Sequence, residues 1–155
     1  FGYLNENVAD KLKEALQTYG QFNLHYAAKN FWSMWLAGPK WEPKVNFWLP
    51  DGEGMSLFFT TPALIYLGRT YRNAQGRTWL VLGGWVAFGL LLIPLLLYYN
   101  TGWFQFGYRF SLDFMVPVMV LLAIATGERL SWSMRALILV GIIVNLYGLV
   151  WWHMR

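Results

Sequence analysis

The chain of 155 residues contains no cysteine and only two histidines. Without cysteine there is no disulfide bond, no thiolate nucleophile, no iron–sulfur cluster and no cysteine-ligated zinc site. His25 and His153 are far apart in the sequence, and no other residue supplies an imidazole at the spacing of a metal-ligand pair. We therefore predict neither a bound metal nor a resident cofactor.

Charged residues are scarce as well. They make up 13% of the chain, about half the share in an average soluble domain. Hydrophobic residues make up 57% and aromatic residues 19%, and the apolar residues form runs that indicate an integral membrane protein. In such a protein Lys and Arg mainly record topology, so the formal net charge of +4 does not indicate a nucleic-acid partner.

The apolar runs predict an all-α fold, an integral membrane helical bundle with three to five transmembrane helices. The expected spans, which form a region at 55–155, lie near 55–68, 79–99, 106–126 and 136–152. The first is short and interrupted by Pro62, whereas the second is the clearest because it contains no charge. Pro94 is expected to kink that second span.

The preceding region, 1–54, is expected to lie at a surface. It opens with an amphipathic helix over 7–20, which has apolar side chains on one face. The aromatic segment 22–36 is too short to span, which favours an interfacial or re-entrant helix. Within it, His25 is either a ligand for a pigment or haem or an ordinary hydrogen-bonded histidine. A Pro-rich outer loop at 37–54 completes the region.

Arginine marks two of the loops between spans. Arg69, Arg72 and Arg77 lie between the first two spans, and Arg129 and Arg135 lie between the last two. Both loops fall on the same side of a membrane, and the positive-inside rule makes that side cytoplasmic. The Pro-rich loop and the segment following the second span then face outward.

The segment 98–113 places polar groups at the outer mouth of a span. Arg109 and Asp113 are four residues apart, so on a helix they share a face and can form an ion pair. Charges at membrane depth cost about 2.5–3.5 kcal/mol on insertion scales, which makes these residues functional candidates. Three interpretations stay open: a structural pair, a phosphate contact by Arg109 beside Tyr108 and Gln105, or an arginine that extends to the interface.

Three other features have less specific interpretations. Asp51 and Glu53 are candidates for a general base, although two carboxylates in a Gly-rich loop are usually solvated. Asn145 is expected to donate a hydrogen bond between helices. Gly83 and Ala87 form a small-xxx-small pair, which is common in membrane helices.

The run LLLYYNTGWFQFGYRFSLDF at 95–114 resembles the C-terminal membrane region of uncharacterised bacterial multi-span proteins related to GT-C glycosyltransferases. The aromatic segment 26–35, the Pro-rich loop and the Gly-Met-Ser-Leu start at 54–57, with Pro62 soon after, extend the resemblance to residues 22–152. It implies a many-helix fold of the bacterial cytoplasmic (inner) membrane that transfers a sugar from a polyprenyl-phosphate donor on the outer face. The donor-binding residues that it implies are Arg109, Tyr108, Gln105, Asn100 and Asp113.

One departure from that family affects the expected chemistry. In GT-C enzymes the catalytic acidic residue lies in the first outer loop near the N terminus, and this sequence has no such loop. The resemblance therefore assigns no catalytic residue and leaves enzymatic activity open.

Two functions of different class follow. In the first, the chain is the C-terminal membrane portion of a GT-C-like glycosyltransferase and binds its polyprenyl-phosphate sugar donor; because the sequence begins at Phe1, we expect it to be the tail of a longer chain. In the second, it is a non-catalytic accessory subunit of a respiratory or photosynthetic membrane complex. Membrane lipid is a partner in both, and nucleic acid is a partner in neither.

Overall fold

The computed structural model describes residues 6–102 and 105–154, with only the backbone described for residues 6–11. Its α-helices are α1 (Glu6–Tyr19), α2 (Ala27–Trp35), α3 (Leu57–Thr60), α4 (Thr78–Leu97), α5 (Leu112–Thr126) and α6 (Trp132–His153). Three segments are 3₁₀ helices, at Leu24–Tyr26, Pro62–Arg69 and Arg109–Ser111. Four short strands are β1 (Lys40–Glu42), β2 (Phe47–Leu49), β3 (Glu53–Met55) and β4 (Gln105–Gly107).

Three helical stretches are long and apolar enough to cross a membrane. They are α4, the stretch Arg109–Thr126 that contains α5, and α6, with 20, 18 and 22 residues. At about 1.5 Å per residue these stretches reach roughly 27–33 Å, which matches the hydrocarbon core of a bilayer. Only 6% of the most apolar part of α4 and 17% of that of α6 is buried. Apolar surface exposed to this extent suits lipid better than water.

The spans predicted near 79–99, 106–126 and 136–152 are therefore confirmed as helices of spanning length, with shifted ends. The middle one begins at Arg109 because the preceding residues form β4. The last one begins earlier than predicted, at Trp132, because the Ser131 hydroxyl accepts a hydrogen bond from the Met134 backbone N–H at 3.2 Å. Pro94 lies inside α4, and the kink expected there stays a prediction.

The fourth helical span expected near 55–68 is wrong. Its residues form the end of β3, the single turn α3 and a 3₁₀ segment, and none of these pieces is long enough to cross a membrane. The chain breaks at Thr61, whose backbone is at φ −138° and ψ 71°, immediately before Pro62. Leu57 and Leu64 are buried on either side of the break. Part of the apolar run therefore fills the core, whereas Phe58, Phe59 and Ile65 are exposed.

The all-α prediction is incomplete because the described residues include two small sheets. β1 and β2 form an antiparallel hairpin inside the Pro-rich loop, with Lys40 opposite Leu49 and Trp41 opposite Trp48. β3 and β4 pair in parallel over three residues each. Strands of three residues are too short to show an alternating pattern, so hydrophobic periodicity could not predict them.

The buried core lies where α2 and the 3₁₀ segment Pro62–Arg69 meet α4 and α5. Met34, Leu64, Phe114 and Leu121 are each at most 2% exposed. α4 approaches α5 at Gly84, where an added Cβ would lie 2.9 Å from the Leu121 side chain. The close approach is therefore at Gly84, and Gly83, which belongs to the predicted small-residue pair, has open space.

The N-terminal region contains the expected amphipathic helix, α1, which ends at Gly20 with a positive φ of 74°. The interfacial helix expected at 22–36 is shorter: a 3₁₀ turn leads into the nine residues of α2. Asn30 in α2 is 1% exposed, and its amide nitrogen donates to three backbone carbonyls at the end of α4. α2 therefore braces the end of a spanning helix.

The connecting segments gather at two ends of the helices. The arginine end consists of residues 66–77 and 126–135, which are joined by a hydrogen bond of 2.7 Å from the Asn73 side chain to the Ala125 carbonyl. The hairpin end consists of residues 20–56 and 98–111, where the Gln105 amide donates to the Glu53 carbonyl at 2.9 Å. The two arginine-bearing loops therefore lie together, as the sequence predicts.

Candidate functional site

A pocket of about 240 Å³ opens at the hairpin end, where α5 begins. Tyr108, Arg109 and Ser111 line one side of it, and Thr60, Thr61 and Asn145 line the other. The remaining lining residues are apolar side chains and a glycine: Leu57, Gly107, Leu112 and Met115. The pocket thus combines one cation with several hydroxyl and amide groups.

Arg109 is exposed and forms no ion pair with Asp113 among the described residues. The predicted pairing needs both residues on one α-helix, but Arg109 lies in the 3₁₀ turn that precedes α5. Its guanidinium carbon lies 5.8 Å from the centre of the Phe110 ring. The structural-pair interpretation is therefore wrong, and the guanidinium is available to an anion.

Tyr108 is 2% exposed, and its hydroxyl has no hydrogen-bond partner in the described part of the chain. Burial raises the pKa of this phenol to about 12, because a phenolate would be poorly solvated there. The hydroxyl is therefore a neutral donor at physiological pH. A buried donor without a partner costs about 1–3 kcal/mol, which an accepting ligand oxygen would recover.

Sequence reasoning did not single out Ser111, Thr60 and Thr61. Ser111 is 4% exposed and occupies the N-cap position of α5, yet its hydroxyl does not cap the helix. Thr60 reaches the pocket because the chain breaks after α3, just before Pro62. A serine directly before an apolar helix is the one signal that could have identified this set.

Gln105 and Asn100 hold the loop in place and do not line the pocket. The Gln105 amide nitrogen donates to the Glu53 and Thr101 carbonyls, both at 2.9 Å, and its oxygen accepts the Arg109 backbone N–H at 3.1 Å. The Asn100 side chain accepts from the Gly102 N–H at 2.9 Å. The Gln105 amide therefore positions the backbone of Arg109, and the Asn100 amide holds the turn at Gly102.

Two glycines are required around the Gln105 side chain. Gly54 and Gly102 have φ of +104° and +117°, and an added Cβ would lie 2.8 and 2.9 Å from the Gln105 amide. This close packing fixes where the 98–111 segment turns. Trp103 and Phe104, within the same predicted segment, lie outside the described residues.

A larger apolar groove of about 540 Å³ lies beside the pocket, along α6. Thr60, Thr61 and Asn145 line both cavities. The groove is otherwise lined by one proline, one alanine, one glycine and a row of aliphatic side chains: Pro62, Ala63, Leu137, Ile138, Gly141, Ile142, Leu146 and Leu149. It is open to the surroundings, since Ile142 and Leu146 are 50% and 55% exposed.

Asn145 joins two elements at this junction. Its amide nitrogen donates to the Thr60 carbonyl at 2.8 Å and to the Gly141 carbonyl at 2.7 Å. The predicted hydrogen bond from this residue to another segment is confirmed, although its acceptor lies at the end of the single turn α3. The bond fixes one wall of the cavity.

The other candidates do not join this site. His25 is exposed and stacks on Tyr19 with ring centres 4.1 Å apart. Among the described residues no three His, Asp or Glu side chains are close enough to hold a metal. Lys40 Nζ lies 2.7 Å from Asp51 Oδ2, and Lys29 Nζ lies 3.7 Å from Glu53 Oε2. The hydrogen bond to Asp51 raises the pKa of Lys40. Both loop carboxylates therefore contact lysines.

The chain matches no protein-family model, no curated protein and no solved structure.

Proposed function

We propose that the groove and the pocket together bind the lipid of a polyprenyl-phosphate sugar, as the donor-binding membrane portion of a GT-C-like glycosyltransferase. The proximity of the two cavities carries this proposal: an apolar groove and a pocket with one arginine share the lining residues Thr60, Thr61 and Asn145. A lipid phosphate has the same two parts, a long apolar chain and a compact anion.

The groove suits a hydrocarbon chain. The stretch 137–149 of α6 that lines it is about 18 Å long at 1.5 Å per residue. Its exposed aliphatic side chains leave the groove open toward the surroundings of the helix, so a lipid can enter sideways from the bilayer. Thr60 and Asn145 mark the point where the apolar wall gives way to the polar pocket.

The pocket suits a phosphate. Arg109 offers a planar set of donors that binds phosphate oxygens in a bidentate way. The Tyr108 hydroxyl is a buried donor without a partner among the described residues, and Ser111 adds a further hydroxyl. Asp113 does not line the pocket, which removes one source of repulsion for an anion.

Binding of a polyprenyl phosphate by the purified protein in detergent tests this proposal, with the unphosphorylated polyprenol as the comparison. We expect Arg109→Gln to weaken binding of the phosphate about 10- to 100-fold, because a hydrogen bond to a charged group contributes roughly 1.5–3 kcal/mol. Lys44→Gln removes one exposed positive charge at the same end and should leave the affinity unchanged.

A second pair of variants tests the groove. Leu146→Trp fills it, whereas Leu139→Trp adds the same bulk to an exposed position of α6 outside it. We expect only the first to weaken binding. Equal affinity for the phosphate and the polyprenol, or equal effects of the two tryptophans, would contradict the proposal.

The same proposal includes the orientation and the membrane. The arginine end faces the cytoplasm of a bacterial cell and the pocket faces outward, on the side where GT-C enzymes use their lipid donors. The clustering of Arg69, Arg72, Arg77, Arg129 and Arg135 at one end supports this arrangement.

The accessory-subunit function is the second candidate, and the surface of α6 favours it. Of the buried residues in α6, three are spaced by seven, namely Met134, Gly141 and Gly148, while the aliphatic side chains on its other faces are exposed. A partner helix would cover these faces. Gentle purification from the native membrane distinguishes the two functions: a stable multi-subunit assembly without bound polyprenyl phosphate favours the subunit.

A further inference from the structure

The arginine end has an unbalanced charge. Residues 66–77 and 126–135 contain five arginines and a single acidic residue, Glu128. All five arginines are exposed, and within the described ranges none of them forms an ion pair. At the hairpin end, by contrast, Lys29 and Lys40 contact Glu53 and Asp51. The uncompensated positive charge is therefore concentrated at the arginine end, although Lys44 and Arg109 are also exposed at the hairpin end.

Two of these arginines are held in place by aromatic rings. The Arg69 guanidinium carbon lies 4.6 Å from the centre of the Tyr66 ring, and that of Arg135 lies 4.9 Å from the Trp132 ring. Stacking restrains a guanidinium but leaves the N–H groups at its edge available to an anion. These arginines are thus more ordered than ordinary surface cations.

A ring of hydroxyls links the two arginine-bearing segments. The Tyr66 hydroxyl lies 2.6 Å from both the Ser131 and the Ser133 hydroxyls, which are 3.1 Å apart. Three hydroxyls that bond one another in a ring use all three of their hydrogens. These three hydroxyls are therefore not free to donate to an anion, whereas the arginines of this end keep exposed N–H donors.

Exposed aromatic side chains accompany the charge. Trp132 is 82% exposed, Trp79 is 76% exposed and Tyr71 is 58% exposed. Tryptophan and tyrosine beside basic residues are typical of the boundary between lipid tails and headgroups. This combination suits a phospholipid headgroup layer, in which rings meet the acyl boundary and guanidinium groups meet phosphates.

We propose that the arginine end binds the headgroup phosphates of anionic phospholipids, with Arg69 and Arg135 as the principal contacts. The site is separate from the pocket that contains Arg109, because the 20 residues of α4 place about 30 Å between the arginine end and the hairpin end. The ligand differs too, since here the whole anionic leaflet supplies the phosphate.

Native mass spectrometry of the purified protein, titrated with phosphatidylglycerol or phosphatidylcholine, tests this proposal. We expect the protein to retain phosphatidylglycerol in preference. Arg69→Gln with Arg135→Gln should lower that retention about 25-fold, since each arginine near an anionic surface is worth roughly a factor of five. Raising the ionic strength should weaken retention in the same direction.

Two matched variants separate this site from other effects. Lys40→Gln with Lys44→Gln removes the same charge from the hairpin end and should leave phosphatidylglycerol retention unchanged. Arg109→Gln should also leave it unchanged, whatever happens to polyprenyl-phosphate binding. Equal retention of the two phospholipids, or an equal loss in the lysine variant, would overturn the proposal.

Discussion

At the residue scale, the buried hydroxyl of Tyr108 bears both on the stability of the folded protein and on the proposed binding of a ligand. Its hydroxyl has no partner among the described residues, although the side chain is 2% exposed. An unpaired buried hydroxyl lowers the stability of the folded protein, so its presence makes sense where a ligand accepts from it.

The raised pKa of Tyr108 predicts a loss of stability in alkali. The folded protein keeps the phenol proton up to a pKa of about 12, whereas the unfolded chain loses it near its ordinary value of 10. Ionisation therefore favours unfolding as the pH rises from 10 to 12, by up to about 3 kcal/mol. We expect Tyr108→Phe to remove this part of the pH dependence, as measured by denaturant unfolding in detergent.

The same variant should be at least as stable as the natural protein at pH 7, because it removes an unpaired hydroxyl and keeps the ring. A stability profile between pH 10 and 12 that is identical for both proteins would contradict the raised pKa.

Gly148 allows α6 to approach β4. An added Cβ would lie 2.5 Å from the ring of Phe106, closer than any normal contact. We expect Gly148→Ala to lower the free energy of unfolding by about 1–3 kcal/mol, because the ring must move in a packed site. Gly83→Ala in α4 meets open space and is the control, expected to be neutral or stabilising by the higher helix propensity of alanine. Equal effects of the two changes would contradict this packing.

At the scale of elements, α2 holds the end of α4. The last carbonyls of an α-helix have no partner within the helix, and in an apolar environment each unsatisfied one is costly. The Asn30 amide contacts the carbonyls of Leu95, Leu96 and Tyr98 at 3.2, 2.8 and 2.7 Å. The two hydrogens of this amide are thus shared among three acceptors. A polar side chain is therefore buried among the apolar helices, where it satisfies the carbonyls that end α4.

We expect Asn30→Ala to destabilise the protein by about 2–3 kcal/mol and to increase hydrogen exchange in the last turn of α4, because it leaves buried carbonyls unpaired. Asn23→Ala removes an exposed cap of the neighbouring 3₁₀ turn and should cost less, about 1 kcal/mol. An equal loss of unfolding free energy in both variants, without faster hydrogen exchange in α4, would show that Asn30 does not stabilise the end of α4.

At the scale of the whole molecule, the three long helices run alternately between the two ends. α4 starts at the arginine end, the stretch Arg109–Thr126 starts at the hairpin end, and α6 starts again at the arginine end. This alternation puts the five clustered arginines at one end and the lysine–carboxylate contacts at the other.

The absence of cysteine allows a direct test of the proposed orientation. A single cysteine introduced as Lys44→Cys should react with a membrane-impermeant maleimide on intact cells, because the proposed orientation places the hairpin end outside. Glu128→Cys should react only after permeabilisation; both residues are exposed in the structure. The reverse pattern would invert the orientation, and labelling of both on intact cells would show that the helices do not separate the two ends.

The sequence alone determined the features that depend on composition and on local spacing. Three spans, the amphipathic α1 and the shared side of the arginine loops all follow from residues close together in the chain. These features depend on the free energy of moving apolar side chains out of water and on the positions of the few charged residues. Both quantities can be added up along the sequence without knowing the fold. Arg109 and Tyr108 stood out for the same reason, as polar groups where an apolar span begins.

The tertiary structure alone decided where those residues point and what they contact. The 3₁₀ turn at Arg109 separates this residue from Asp113. The break at Thr61 directs part of an apolar run into the core. The Gln105 amide holds the loop before α5 by its hydrogen bond to the Glu53 carbonyl. Each outcome depends on hydrogen bonds and packing between residues far apart in the chain. The energy of such contacts depends on distances and angles between side chains, which cannot be read from composition. The position of the groove beside the pocket is therefore visible only in the folded chain.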